Sequence, residues 1–215
     1  MYEKNYKKNS SYMLTLLKII DSMSRGGIKE VSSNGFFTIQ NAVEIINLET
    51  TMLIENSFFL GYQLSNRNTS QMPQEVINVG HLCGYCFQVL NDIEPFLAPE
   101  INRKYKGSLN NDFEKKRKNI VISYLYGACS KKERNELLIK NDFDAVYYLI
   151  CKYKIIDLIL EDINCKKKSI KEALIFFKEQ HPNYYIDFAQ FLDNMFCICF
   201  QKCNLTFENN FFCDR

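Results

Sequence analysis

The sequence contains no tryptophan and only two histidines among its 215 residues, His81 and His181. Neither histidine has an obvious nucleophile or carboxylate partner nearby in sequence, so the Ser/His/Asp and Cys/His arrangements of hydrolases are not indicated. The Gly-rich loops that hold nucleotide phosphates, GxxxxGK(S/T) and GxGxxG, are also missing. A net charge of only +2 leaves no large basic surface, which argues against nucleic acid or a membrane surface as partner.

Long apolar runs and a leader-like amino terminus are missing too. The first ten residues are charged and polar, without the apolar stretch of a signal peptide. The apolar stretch at residues 145–160 is interrupted by Lys152, Lys154 and Asp157, so no transmembrane segment is expected. Nine cysteines, an odd number spread over apolar helical positions, suit reduced buried thiols. These features predict a cytoplasmic protein.

Proline and glycine are scarce, with four and eight residues, and nearly all lie where a helical periodicity of the apolar residues stops. This pattern predicts one all-α domain over residues 1–215, with seven or eight helices. The expected helices are 11–25, ending at Gly26-Gly27; 38–64; 74–96, ending at Pro95; 111–128; one beginning with the capping box Ser130–Glu133; 142–163; 169–180; and 183–203. The basic run 166–168 is expected at a solvated helix end or turn.

Two groups of cysteines invite a redox or metal interpretation. Cys83-Gly-Tyr-Cys86 has the spacing of a redox pair, but no predicted strand precedes it, as the thioredoxin-type motif requires. Zinc could in principle be held by this pair with His81, or by the cluster of Cys197, Cys199 and Cys203. Because these cysteines lie in predicted helices, burial in an apolar core explains them better.

The stretch from Phe87 to Pro95 places polar side chains in an otherwise apolar helix. Gln88 and Asp92 lie four residues apart and therefore share one helix face, which Gly84 and Gly80 extend. Glycine weakens a helix by about 1 kcal/mol relative to alanine, so two of them suggest that something approaches this face closely. A buried carboxylate needs a partner. Two interpretations stay open: a helix N-terminus or structural ion pair, and a metal or phosphate site on the helix wall.

Four short motifs follow one another along the chain. They are Met23-Ser-Arg-Gly-Gly-Ile-Lys-Glu-Val, Ile46-Asn-Leu-Glu-Thr-Thr-Met-Leu, Gly84-Tyr-Cys-Phe-Gln-Val-Leu-Asn-Asp and Asn111-Asp-Phe-Glu-Lys-Lys-Arg-Lys-Asn. In this order they resemble the second half of the trans-isoprenyl diphosphate synthases, or polyprenyl synthetases. That family's pattern reads G-Q-x-x-D/E-L, K-T, G-x-x-F-Q-x-x-D-D-x-x-D and D-L-x-x-G-K-x-T. The resemblance extends from about Leu14 to the carboxyl terminus.

The resemblance implies an isoprenoid-synthase-like helical bundle around a central cavity. In that family two aspartate-rich motifs hold Mg²⁺, which binds an allylic diphosphate; its ionisation yields a cation that isopentenyl diphosphate attacks. By position, the resemblance implies Thr50, Gln88 and Asp92 as catalytic residues. It implies Phe87, Arg117 and Lys118 as substrate-binding residues, and Asp92, Asn91 and Glu94 as metal ligands.

Several positions depart from the family pattern. Asn91 and Pro95 stand where aspartates are expected, and Glu49 stands where a lysine is expected. No first aspartate-rich motif occurs upstream of Leu14, so the chain is expected to lack the family's amino-terminal helices and to expose an apolar face.

The departures leave several functions open. The chain is a prenyltransferase that joins an allylic diphosphate to isopentenyl diphosphate, or it is a noncatalytic or partial subunit. As a subunit it would form a homo- or hetero-oligomer, such as a dimer, with a chain that supplies the first aspartate-rich motif. A diverged enzyme that prenylates peptide pheromones is a third possibility. Outside the family, the alternative is a helical scaffold or interaction protein without chemistry.

Overall fold

The computed structural model describes residues 2–32, 37–65, 73–97, 119–139, 143–208 and 210–213. Over these ranges the regular elements are nine α-helices and one π-helical turn, without a strand, so the all-α prediction is confirmed. They are α1 (Tyr2–Ser32), α2 (Ile39–Ile46), the π turn (Asn47–Thr51), α3 (Met52–Ser65), α4 (Gln74–Leu97), α5 (Ile120–Ala128), α6 (Lys131–Ile139), α7 (Phe143–Lys152), α8 (Ile155–Gln180) and α9 (Pro182–Lys202).

Helix α4 is the centre of the bundle. Its apolar side chains point in nearly every direction, and Val79, Cys83, Val89 and Ile93 are completely buried. A helix that is apolar all round is stable only when other helices cover it. The π turn, α3, α5, α8 and α9 pack around α4, and α1 packs against the π turn and α3. No helix of the described ranges is long and apolar enough to cross a membrane.

Side-chain caps determine where two of the central elements begin. The hydroxyl of Thr38 accepts a hydrogen bond from the Asn41 backbone N–H at 3.2 Å and opens α2. The amide oxygen of Asn119 accepts one from the Ile122 backbone N–H at 3.0 Å and opens α5. Because Asn119 has an extended backbone (φ −110°, ψ 168°), the predicted helix 111–128 is wrong at this point. Residues 111–118 lie outside the described ranges.

The capping box predicted at Ser130 and Glu133 is confirmed. The Ser130 backbone N–H donates to the Glu133 carboxylate at 2.9 Å, and the Glu133 N–H donates back to the Ser130 hydroxyl at 3.4 Å. The same carboxylate also accepts from Lys152 at 2.7 Å and from the Tyr153 hydroxyl at 2.8 Å. Lys152, Tyr153 and Ser130 together lower the pKa of Glu133 well below its usual range. These contacts join α6 to the end of α7.

Two predicted helix boundaries are wrong in the second half of the chain. The expected helix 142–163 is divided at Lys154, whose backbone is left-handed (φ 50°). From there α8 runs unbroken to Gln180, without the predicted gap between 163 and 169. Lys167, expected at a solvated turn, is buried with its ammonium 4.4 Å from the centroid of the Phe211 ring. Cation–π contact favours the ammonium there, although loss of hydration lowers its pKa.

The first helix also exceeds its prediction. It passes through Gly26-Gly27 without interruption and ends at Ser32. A Cβ atom on Gly26 would lie only 2.5 Å from Cγ of Glu49 and 3.2 Å from Cβ of Leu48. Glycine at position 26 therefore lets the π turn approach α1 closely, and it does not end the helix. The predicted helices 38–64 and 74–96 are confirmed within one or two residues, apart from the π turn inside the first.

Candidate functional site

A continuous row of hydrogen bonds crosses the bundle between the π turn, α4 and the start of α5. The Thr50 hydroxyl donates to Oε1 of Gln88 at 2.7 Å. Nε2 of Gln88 donates to Oδ1 of Asp92 at 2.8 Å. Oδ2 of Asp92 accepts from the Ile120 backbone N–H at 3.1 Å. The three residues that the resemblance names as catalytic are therefore brought together, and Ile120 joins them at the start of α5.

The π turn positions Thr50 in this row. A π turn contains one more residue per turn than an α-helix and so redirects the side chains that follow it. It can lie against α4 only because Gly84 has no side chain, since a Cβ atom there would be 2.6 Å from the Thr51 Cα atom. A Cβ on Gly80 would be 3.0 Å from the Glu55 Cα atom. The close approach predicted from the two glycines is made by the backbone of the chain itself.

The carboxylate of Asp92 caps α5. Asp92 is 7% exposed, and each of its two oxygens accepts a hydrogen bond from a protein N–H group. The first backbone N–H groups of a helix have no partner within the helix and carry partial positive charge, so a carboxylate stabilises them. Of the two interpretations left open above, this geometry favours the helix N-terminus.

The hydrogen-bonded row forms one wall of a polar pocket of about 250 Å³. Three carboxylates line it, from Glu30 on α1, Glu49 in the π turn and Asp92 on α4. Gln88, Asn91 and Asn119 add amide groups, and no lysine or arginine of the described ranges is among the lining residues. Acidic and amide side chains thus predominate among the described polar residues of this pocket.

Sequence reasoning identified Asp92, Gln88 and Asn91 but missed Glu30 and Asn119 as lining residues. Glu30 follows Gly26 by four residues, so both lie on the same face of α1, and this spacing was an available signal. Asn119 precedes a run of apolar residues, which is typical of an N-cap position. Glu49 was noted only as a departure from the family pattern.

Other implied site residues lie elsewhere in the fold. Phe87 packs with its ring centroid 5.2 Å from that of Phe196, in the apolar core. Glu94 is half-buried on α4. Burial, and after it the charge of Glu94, raises the pKa of the Cys203 thiol to about 12. Arg117 and Lys118 lie outside the described ranges. The roles of all eight residues as catalytic, substrate-binding or metal-binding groups stay predictions.

Magnesium is the metal that the resemblance implies, and the described residues do not fit it by themselves. Carboxylate and amide oxygens are of the right chemical kind. However, both oxygens of Asp92 already accept protein hydrogen bonds. Although Glu30, Glu49 and Asp92 line the same pocket, no three acidic, histidine or cysteine side chains of the described ranges come close enough together to hold one metal ion.

The Cys83 and Cys86 thiols are buried on α4. Burial is the main cause that raises the pKa of both thiols well above the usual range; at Cys86 the charge of Asp162 raises it further, and Lys166 and Lys167 lower it in part. A thiol reacts as its thiolate, so both groups are poor nucleophiles. His81 is exposed and contacts Glu55 at 3.1 Å, rather than joining the cysteines in a zinc site. The predicted burial is confirmed for Cys83, Cys86 and Cys203, whereas Cys197 and Cys199 are half-buried.

We expect native-state labelling to separate the cysteines by burial. N-ethylmaleimide should modify the exposed Cys151 and Cys165 first, whereas Cys83 and Cys86 should react only after unfolding. Peptide mass spectrometry at successive labelling times measures the order. Early modification of Cys83, or a disulfide between Cys83 and Cys86 in the folded protein, would restore the redox interpretation.

A solved structure with a similar fold is that of geranylgeranyl pyrophosphate synthetase from Pyrococcus horikoshii Ot3. The two chains are 21% identical, with a TM-score of 0.64, over 78% of this chain and 53% of that chain. The present chain thus spans about half the length of its structural neighbour. No protein-family model and no curated protein matches the sequence. At this identity the likeness establishes the fold, and it confirms the prediction of an isoprenoid-synthase-like helical bundle.

Proposed function

We propose that this chain is a partial subunit of a heteromeric prenyl synthase. In this proposal a second chain packs on α1 and supplies the first aspartate-rich motif, and the complex joins an allylic diphosphate to isopentenyl diphosphate. The isoprenoid-synthase-like fold supports the reaction class, and the apolar surface of α1 supports the need for a partner.

The observation that carries the proposal is an apolar stripe along the outer face of α1. The stripe consists of seven exposed side chains: Met13, Leu16, Leu17, Ile20, Met23, Ile28 and Val31. At 3.6 residues per turn they fall within about 140° of arc and span about 27 Å. The opposite face, which packs on the rest of the chain, carries the buried residues Thr15, Ile19, Ser22 and Gly26. Ile19 thus faces inward, whereas the seven side chains of the stripe face outward.

An apolar stripe of this size is unfavourable in water. Burial of one large aliphatic side chain contributes about 1.5–3 kcal/mol, and apolar patches this extensive are typical of protein interfaces. An amphipathic helix from another chain fits such a linear stripe. The size and shape of the stripe therefore support a partner protein as the molecule that covers it.

The polar pocket also supports a complex in which the two chains contribute different parts of the site. Asp92 holds the start of α5, the described residues form no group that could hold a metal ion, and Glu49 stands where the family has a lysine. In the proposed complex, Mg²⁺ belongs to the aspartate-rich motif of the partner chain. The contribution of this chain is then the wall that Thr50, Gln88 and Asp92 form.

Elongation assays on the chain alone and in complex test this function. The partner to co-express is the product of an adjacent reading frame that encodes helices with a D-D-x-x-D motif. With Mg²⁺, geranyl diphosphate and radiolabelled isopentenyl diphosphate, we expect product from the complex and none from the isolated chain. Elongation by the isolated chain would instead favour an autonomous enzyme. Product from neither preparation would contradict the proposal and favour a scaffold role.

A substitution in the stripe tests whether α1 is the interface. Ile20→Lys should weaken the complex roughly a hundredfold, because it places a charge in the centre of an apolar contact. Ile198→Lys on α9 is the matched control, since Ile20 is 60% exposed and Ile198 is 55% exposed. Light scattering after gel filtration measures the assembly. Without a partner, the chain should self-associate through the stripe, so its apparent mass should exceed the 25.3 kDa of one chain. Ile20→Lys should bring the apparent mass closer to that of a monomer. Equal behaviour of the two variants would contradict the interface.

A further inference from the structure

We propose that a second cavity, between α3, α8 and α9, binds a small organic ammonium compound with an apolar body. The cavity has a volume of about 520 Å³, which is in the range of small-molecule sites. It lies near the amino end of α4, where Val76 forms part of its wall. Val76 and Asp92 are sixteen residues apart on that helix, or about 24 Å, so this cavity is separate from the polar pocket.

Aromatic rings from three helices form the walls. Phe58 of α3 lies 5.7 Å from Phe188 and 6.3 Å from Phe191, both on α9, with interplanar angles of 71° and 61°. Phe177 of α8 lies 5.4 Å from Phe188 at 63°. At these distances and angles the rings pack edge to face against one another and form a continuous aromatic lining on one side of the cavity. A cation in the cavity is attracted where it meets the face of such a ring.

The charge at the cavity favours a positive ligand. Among the described lining residues, the exposed Asp187 is the one acidic side chain; His181 also lines the cavity, and no lysine or arginine does. A carboxylate beside aromatic rings attracts an ammonium group and repels a phosphate or carboxylate. The proposed ligand class therefore differs in charge from the diphosphates of the proposed function, and this inference does not depend on that function.

One wall of the cavity is open and can be closed by substitution. Gly61 lines the cavity on α3, and a Cβ atom there would meet no atom within 4 Å. Leucine at this position is compatible with the helix and would extend into the free space. Gly61→Leu is thus a variant expected to fold with a blocked cavity. Gly127→Leu on α5 is its matched control, because Gly127 is also exposed and its Cβ would have its nearest contact, Cδ1 of Ile39, at 4.0 Å.

Three probes of equal chain length test the charge preference. Octyltrimethylammonium, octanol and octanoate each contain a chain of eight carbon atoms, which in octanoate includes the carboxyl carbon, and they differ in the charge of the head group. Isothermal titration calorimetry at pH 7 measures their affinities. We expect the ammonium to bind about tenfold more tightly than octanol, and octanoate to bind most weakly. Asp187→Asn should reduce the ammonium affinity about tenfold and leave that of octanol unchanged.

The variants decide where the probes bind. Gly61→Leu should abolish heat of binding for all three probes, whereas Gly127→Leu should retain wild-type affinities. Circular dichroism shows whether the two variants are folded. If Gly61→Leu does not fold, Asp187→Asn tests the location of the site instead. Binding of octanoate as tight as that of the ammonium would overturn the proposal. So would unchanged binding in Gly61→Leu, or no binding of any probe to the wild-type protein.

Discussion

Gly84→Ala should destabilise the protein by about 2 kcal/mol and lower its Tm by roughly 4–8 °C. The added Cβ would lie 2.6 Å from the Thr51 Cα atom and 3.3 Å from the Thr50 carbonyl oxygen. These atoms belong to the backbone and cannot rotate away, so the π turn must move from α4. The cost exceeds the roughly 1 kcal/mol that alanine gains over glycine in a helix.

Gly61→Ala is the matched control for this substitution. Its Cβ would meet no atom within 4 Å, so only the helix propensity remains, and the Tm should rise by roughly 2–4 °C. Thermal unfolding of the two variants in parallel measures the difference. If Gly84→Ala is as stable as the wild type, the close packing of the π turn against α4 is not required, and Thr50 need not be held beside Gln88.

Asp92→Ala should lower the free energy of unfolding by about 3 kcal/mol. The substitution removes the carboxylate that accepts two hydrogen bonds. The side-chain amide of Gln88 and the backbone N–H of Ile120 then lack this acceptor at a buried position. Buried donors that lose a charged acceptor cost about 1.5–3 kcal/mol each, and relaxation of the site recovers part of this. Chemical denaturation of the purified variant measures the loss.

Asp193→Ala separates a structural role of Asp92 from a functional one. Asp193 is buried to a similar degree, and its carboxylate accepts hydrogen bonds from the Phe212 and Cys213 backbone N–H groups at 3.0 and 3.2 Å. Both variants should lose stability. If Asp92 also binds metal or diphosphate, only Asp92→Ala should abolish elongation in the folded complex. Equal residual activity in the two variants would show that the role of Asp92 is limited to capping α5.

The helices themselves could be predicted from the sequence, because apolar residues repeat with the helical period and caps mark several helix starts. The start of α6 at Ser130 and Glu133 and the bounds of α4 follow from such local signals. The errors occur where a long-range contact overrides the local preference. Gly26 resembles a helix end but allows close packing on Glu49, and Lys167 resembles a solvated turn but is surrounded by aromatic rings.

The candidate site likewise combines a feature that follows from local sequence with features that depend on long-range contacts. The shared face of Gln88 and Asp92 follows from their spacing of four residues along α4. Their partners could not be inferred in this way, because Thr50 is thirty-eight residues from Gln88 and Ile120 is twenty-eight from Asp92. The π turn was also beyond sequence reasoning, since its apolar pattern does not differ from that of an ordinary helix.

The sequence alone determined an all-helical chain with a polar row on its central helix and a resemblance to the polyprenyl synthetases. These properties depend on the spacing of residues within one helix or on the order of short motifs. The contacts between distant segments are what make Asp92 a cap of α5, allow the π turn to lie against Gly84, and leave the apolar stripe of α1 facing outward. Each of these depends on which distant segments meet, and packing in three dimensions, rather than local periodicity, determines those contacts.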